Sequence, residues 1–137
     1  MSPDSDNKST NLSFGTITPL DSGIYEIIAY PDMEIKSGHI QEIMDFLKQQ
    51  PDEEDFGILI NRKHSYHYAF DAMRRFGTLK MIRAIAVLAE NRQSYIRSKT
   101  IVGSLSIVSQ NSRKIELFRD RNRALKWLKE SVNNQSD

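Results

Sequence analysis

The sequence predicts an α/β domain: a mixed, mostly parallel five-stranded sheet with an N-terminal antiparallel hairpin and about four helices. Three observations lead there. Residues 56–60 (FGILI) and 82–89 (IRAIAVLA) are nearly unbroken apolar runs of strand length, the pattern of parallel strands covered on both faces. Around these runs, apolar residues recur at helical spacing, so helices alternate with strands. Ahead of both, two stretches of strand character flank the turn cluster Asp21-Ser22-Gly23, the mark of a hairpin.

Taken in order, residues 1–11 are polar and predict a disordered tail, residues 12–132 one domain, and residues 133–137 a frayed terminus. Residues 12–19 alternate, and Pro19, which lacks an N–H, places this strand at the sheet edge. Residues 24–30 (IYEIIAY) complete the hairpin. Ile40, Ile43, Met44 and Leu47 then form one helical stripe, with Ser37 as its expected N-cap and His39 as a surface residue. Pro51 and the acidic run from Asp52 to Asp55 end that helix in a solvated loop.

Beyond residues 56–60, Ala69, Phe70, Met73 and Phe76 mark a second amphipathic helix, with Gly77 in its last turn. Residues 93–109 give a third helix of weak propensity, rich in Ser, Thr and Gly, whose Ile101, Leu105 and Val108 must be held by packing. Residues 114–118 (KIELF) alternate as a half-exposed last strand. Asp120 is positioned to cap a final helix carrying Ala124, Leu125, Leu128 and Val132 on its buried stripe, with Trp127 beside it.

Composition narrows the function classes. Cysteine is absent, which removes disulfides, thiolate metal sites and cysteine nucleophiles and suits a reducing cytoplasm. No apolar run approaches the length of a membrane span, and the polar start lacks the features of a secretory signal, so membrane insertion is not expected. The net charge of +1 conceals an asymmetry: twelve acidic and three basic residues up to Asp55, six acidic and sixteen basic after it. Interleaving of the two halves in the fold would bring these charges together. The basic residues of the second half accompany no nucleic-acid-binding motif, and Trp127 lies beside a buried stripe, so nucleic acid is not an expected partner.

The stretch FGILINRKHSYHYAF, residues 56–70, organises the chain: a buried strand, then a basic, histidine-bearing connector, then a helix. In parallel α/β sheets, ligands favour the crevice beyond the carboxyl ends of the strands. Asn61, Arg62, Lys63, His64 and His67 are therefore the candidate anion or ligand loop, and Ser65 a candidate helix cap. No glycine-rich phosphate cradle, nucleophile elbow or diagnostic metal spacing is present, so neither an enzyme, a cofactor nor a metal is expected.

The hairpin opening, FGILINRKHSYHYAF, IRAIAVLAE and the closing ELFRDRNRALKWLKE together resemble the STAS/SpoIIAA-like superfamily, in particular its small stand-alone bacterial domains. The resemblance covers about residues 12 to 132. It implies a non-enzymatic regulatory or protein-interaction domain, with a protein partner or a second copy of the chain. As an alternative it implies a binder or carrier of a small anionic or lipid-like ligand. Anti-sigma-factor antagonists of this superfamily carry a phosphorylatable serine after the third strand, and Ser65 stands in the comparable place. The Ser-Gly pair of their turn is absent here, where Tyr66 follows.

Overall fold

The computed structural model of the chain describes residues 8–21, 23–50, 55–109 and 114–133. All five expected strands form: β2 (Gly15–Asp21), β3 (Ile24–Ala29), β5 (Phe56–Asn61), β7 (Ile82–Leu88) and β8 (Lys114–Phe118). A sixth, β1 (Thr10–Asn11), pairs antiparallel outside β2 and gives the order β1-β2-β3-β5-β7-β8. The end of the expected tail is thus a strand, while residues 1–7 lie outside the described residues. Strand β2 is therefore second in the sheet rather than the edge strand expected, and Pro19 lies near its end, the other place a residue without an N–H suits. The expected acidic loop over residues 52–55 and the frayed terminus fall mostly outside the described residues.

The hairpin pair β2–β3 is antiparallel, and β3–β5, β5–β7 and β7–β8 are parallel. Strands β5 and β7 are interior, and Ile58 and Val87 are fully buried. Their side chains alternate between two cores, as period-two geometry requires. Ile58, Ile60, Ile85 and Val87 join the larger core with α1 (Ser37–Lys48), α2 (Phe70–Gly77) and α3 (Arg92–Ser109). Leu59, Ala84, Ala86 and Leu88 pack on the other side against Ala124 and Leu128 of α4 (Arg121–Asn133). Small residues let that single helix seat closely: a Cβ on Gly57 would come within 2.9 Å of Val132 Cγ2.

Two helix starts differ from expectation. Lys36, in extended conformation, is the N-cap of α1, and its N–H donates to His39 Nδ1 at 2.9 Å. Ser37 is therefore already inside the first turn. His39 is half-buried with its ring 5.2 Å from that of Phe14, rather than a solvent-facing residue. The second difference lies in the connector. There, β4 (Glu34–Ile35) and β6 (His67–Tyr68) form a separate two-stranded parallel ladder, and the Ala69 N–H donates to the Ile35 carbonyl at 2.8 Å. This pairing keeps the chain extended through Ala69, so α2 cannot begin before Phe70 and Ser65 does not cap it.

The weak propensity of α3 is offset by packing, with Leu105 buried and Ile101 and Val102 against the larger core. Gly77 lets α2 and α3 approach, since a Cβ there would collide with the Val108 side chain. Asp120 caps α4 as expected: its Oδ1 accepts from the Asn122 N–H at 3.0 Å and its carbonyl from the Ala124 N–H at 3.1 Å. Acidic and basic halves meet across the fold, as in Arg121–Glu26 at 2.8 Å and Lys129–Asp21 at 3.3 Å. Among the described residues no helix is long and apolar enough to cross a membrane.

Candidate functional site

The connector leaves the carboxyl end of β5, as the alternation of strands and helices requires. It is not the wholly solvated loop its polarity suggests. Asn61 and Arg62 are buried, Lys63 and Ser65 are exposed, His64 is half-buried and Tyr66 is buried again.

Asn61 turns to the α4 face, because it lies two residues after Leu59 on β5. Its Nδ2 donates to Glu26 Oε2 at 2.7 Å. Arg121 reaches the same carboxylate with two bonds of 2.8 Å, one to each oxygen. Burial alone would raise the Glu26 carboxyl, but the hydrogen bonds from Arg121 and Asn61 outweigh it and hold the group below the ordinary glutamate value. Asn61 is thus part of a structural clasp that ties β3, β5 and α4 together, its amide turned to Glu26.

Arg62 turns the opposite way. Its backbone N–H continues the β5–β7 ladder by donating to Leu88 O at 2.8 Å, which anchors the residue at the strand end. Its guanidinium carbon lies 4.5 Å from the Tyr66 ring centre, and Nη2 donates to the Tyr66 carbonyl at 3.2 Å. The residue is 7% exposed, yet among the described residues Nε and Nη1 have no hydrogen-bond partner. No carboxylate pairs with it among the described residues. Each unmet donor of a buried charged group costs on the order of 1–3 kcal/mol.

Other elements frame this guanidinium. The Tyr66 and Tyr68 hydroxyls lie 3.3 Å apart, and Tyr68 stacks on Phe76 at 6.3 Å. Burial, acting first, raises both phenols above their ordinary range, so they stay neutral and present hydroxyls. The start of α3 lies alongside: Asn91 Oδ1 accepts from the Ser94 N–H at 2.8 Å, and Ser94 Oγ donates to the Arg62 carbonyl at 3.3 Å. On the far side, the Ser65 carbonyl accepts from the Asp32 N–H at 2.7 Å, pinning the connector to the β3–β4 turn.

Two hollows flank the guanidinium. One, of about 100 Å³, includes Lys63, His64 and Ser65 with Arg97 and the first turn of α3. The other is an apolar groove of about 450 Å³ between β6–α2 and α3. His67 borders that groove and pairs outward with Glu34 at 3.6 Å. His64, Ser65 and Asp71 do not converge, because Asp71 faces a separate open hollow with Arg74, Arg75 and Thr78. Among the described residues no three His, Asp or Glu side chains are placed to share a metal ion.

Sequence reasoning missed Arg97, Tyr68 and Phe70 as parts of this site. Arg97 lies one and a half turns into α3, and only the placement of Asn91 as that helix's cap could have brought it near the connector.

The fold is SpoIIAA-like. The chain is similar to an uncharacterized protein of the DUF3478 family with a SpoIIAA-like fold from Shewanella loihica PV-4. The two superpose with a TM-score of 0.55 at 13% identity, over 88% of this chain and 98% of that one. No family model and no curated protein matches the chain.

Proposed function

We propose that this chain is a non-enzymatic binding domain that holds a small anionic ligand beside the connector between β5 and β6. The observation that carries the reading is Arg62: a residue 7% exposed on the lining of both hollows, whose guanidinium has two buried donor atoms without a hydrogen-bond partner among the described residues. A cation buried without a carboxylate is unfavourable in the empty protein and becomes favourable when an anion arrives. Its location at the carboxyl end of a central parallel strand is where open α/β sheets receive ligands. The scattered placement of His64, Ser65 and Asp71 supports binding rather than catalysis.

Thermal unfolding of the full chain in increasing inorganic phosphate tests this. A saturable rise of the midpoint in the wild type, replaced in Arg62→Met by the shallow linear rise of a general salt effect, is the expected result. Identical curves for the two proteins contradict the reading.

A second reading, a regulatory domain in the cytoplasm that docks a protein partner or a second copy, is favoured by the exposed apolar side chains of Phe70 at 76% and Ile107 at 77%. Sedimentation across a hundredfold concentration range, with and without Phe70→Ser, tests self-association. A concentration-independent monomer removes the second copy.

A further inference from the structure

The two hollows beside Arg62 are opposite in character and share a wall. The smaller is lined by Arg62, Lys63 and Arg97, with no acidic residue in its lining among the described residues, although the Lys63 charge also acts on Glu26. It also abuts the first turn of α3 at Gln93 and Ser94, the positive end of an 18-residue helix. The larger is lined mainly by Tyr66, Tyr68, Phe70, Met73, Ile101 and Val108. Arg62 and Arg97 belong to both. A molecule lying across the shared wall would put an anionic head among the cations and an apolar body in the groove.

We propose that the ligand is a phosphate monoester of an apolar alcohol. This rests on the reading of Arg62 as an anion-binding group and adds the ligand's two ends. Two arginines and a helix start, with Lys63 shared between this hollow and Glu26, balance the roughly two negative charges of a phosphate monoester better than the single charge of a carboxylate. A phosphoryl group offers three terminal oxygens, enough to engage Arg62, Arg97 and a first-turn amide together. The groove, at about 450 Å³, is within the range of sites that enclose a drug-sized body. Its lining is aromatic and aliphatic, which suits hydrocarbon.

Calorimetric titration of the full chain with octyl phosphate, inorganic phosphate, octanoate and octanol, each below its aggregation limit, tests the proposal. Octyl phosphate is expected to bind at least tenfold more tightly than each of the other three. Arg62→Met is expected to lower its affinity at least tenfold. Phe70→Ser, at a solvent-exposed position where folding is not at stake, should weaken octyl phosphate at least threefold and leave inorganic phosphate unchanged. Co-sedimentation with phosphatidate-containing vesicles would identify the source as a lipid headgroup, and binding of monomeric octyl phosphate alone would identify a soluble ester. Equal affinity for octyl and inorganic phosphate would overturn the proposal while leaving the anion reading intact. Equal affinity for octanoate and octyl phosphate would overturn the phosphoryl head, and no response to any anion would overturn both readings.

Discussion

Arg62 lies 4.5 Å from the ring centre of Tyr66 and donates to that residue's carbonyl, so the connector closes on itself around its own cation. This contact holds the guanidinium inside the protein while leaving Nε and Nη1 unmet. Two unmet donors on a buried cation destabilise the protein at this point.

Replacing Arg62 by an apolar residue of similar length should therefore stabilise the empty protein. Exchanging a buried unpaired charge for a well-packed side chain is worth about 1 kcal/mol or more. Urea unfolding of Arg62→Met without added anions is expected to show a higher midpoint at unchanged slope. A lower midpoint would mean that the stacking on Tyr66 outweighs the unmet donors.

On the opposite face, Glu26 is held below its ordinary value of 4.5 by Arg121 and Asn61 against the effect of burial. A carboxyl depressed in the folded state contributes stability that is complete above the ordinary value and is lost as pH falls through the lower folded one. Stability measured from pH 6 downward should fall through this window in the wild type and fall less steeply in Glu26→Gln. At pH 7 the same substitution should cost about 2 kcal/mol, less than for a wholly buried pair because the Arg121 side chain is 36% exposed.

The cap of α4 is a local, separable contribution. Asp120→Ala removes the acceptor for the Asn122 N–H and should cost about 1 kcal/mol, while Asp120→Asn should cost a few tenths. Chemical unfolding of the two variants checks the order.

Gly77 sets the spacing of α2 and α3. Gly77→Ala gains about 1 kcal/mol in helix propensity but drives a Cβ into the stiff Val108 side chain, an overpacking that costs roughly 1–3 kcal/mol. Net destabilisation is expected, and Gly77→Ala combined with Val108→Ala should recover part of it. Failure of the second change to help would show that the collision is not with Val108.

The sheet was legible because its signals are local. FGILI and IRAIAVL declare interior strands by continuous apolarity, and Asp120 declares a helix start by its position before a stripe. Strand β1 was not legible, since Thr10 and Asn11 carry no apolar signal and are ordered by pairing with Ile17 and Thr16. The same is true of β6: His67 and Tyr68 extend because Glu34 and Ile35 lie beside them, and that ladder displaces the start of α2 past Ser65.

At the connector, the sequence marked the carboxyl end of β5 but not which way each side chain points. Asn61 and Arg62 are adjacent, and alternation sends one to Glu26 and the other to Tyr66. Arg97 and Phe70 join the site through tertiary packing of α3 and α2, which no local pattern records.

The most direct measurement is the Nε–H resonance of Arg62 in a ¹H–¹⁵N spectrum of the full chain, followed through a titration with inorganic phosphate. A saturable shift of that resonance, absent in a matched sodium chloride titration, is the expected result. A resonance that stays in place while phosphate moves only exposed lysines and arginines would contradict it.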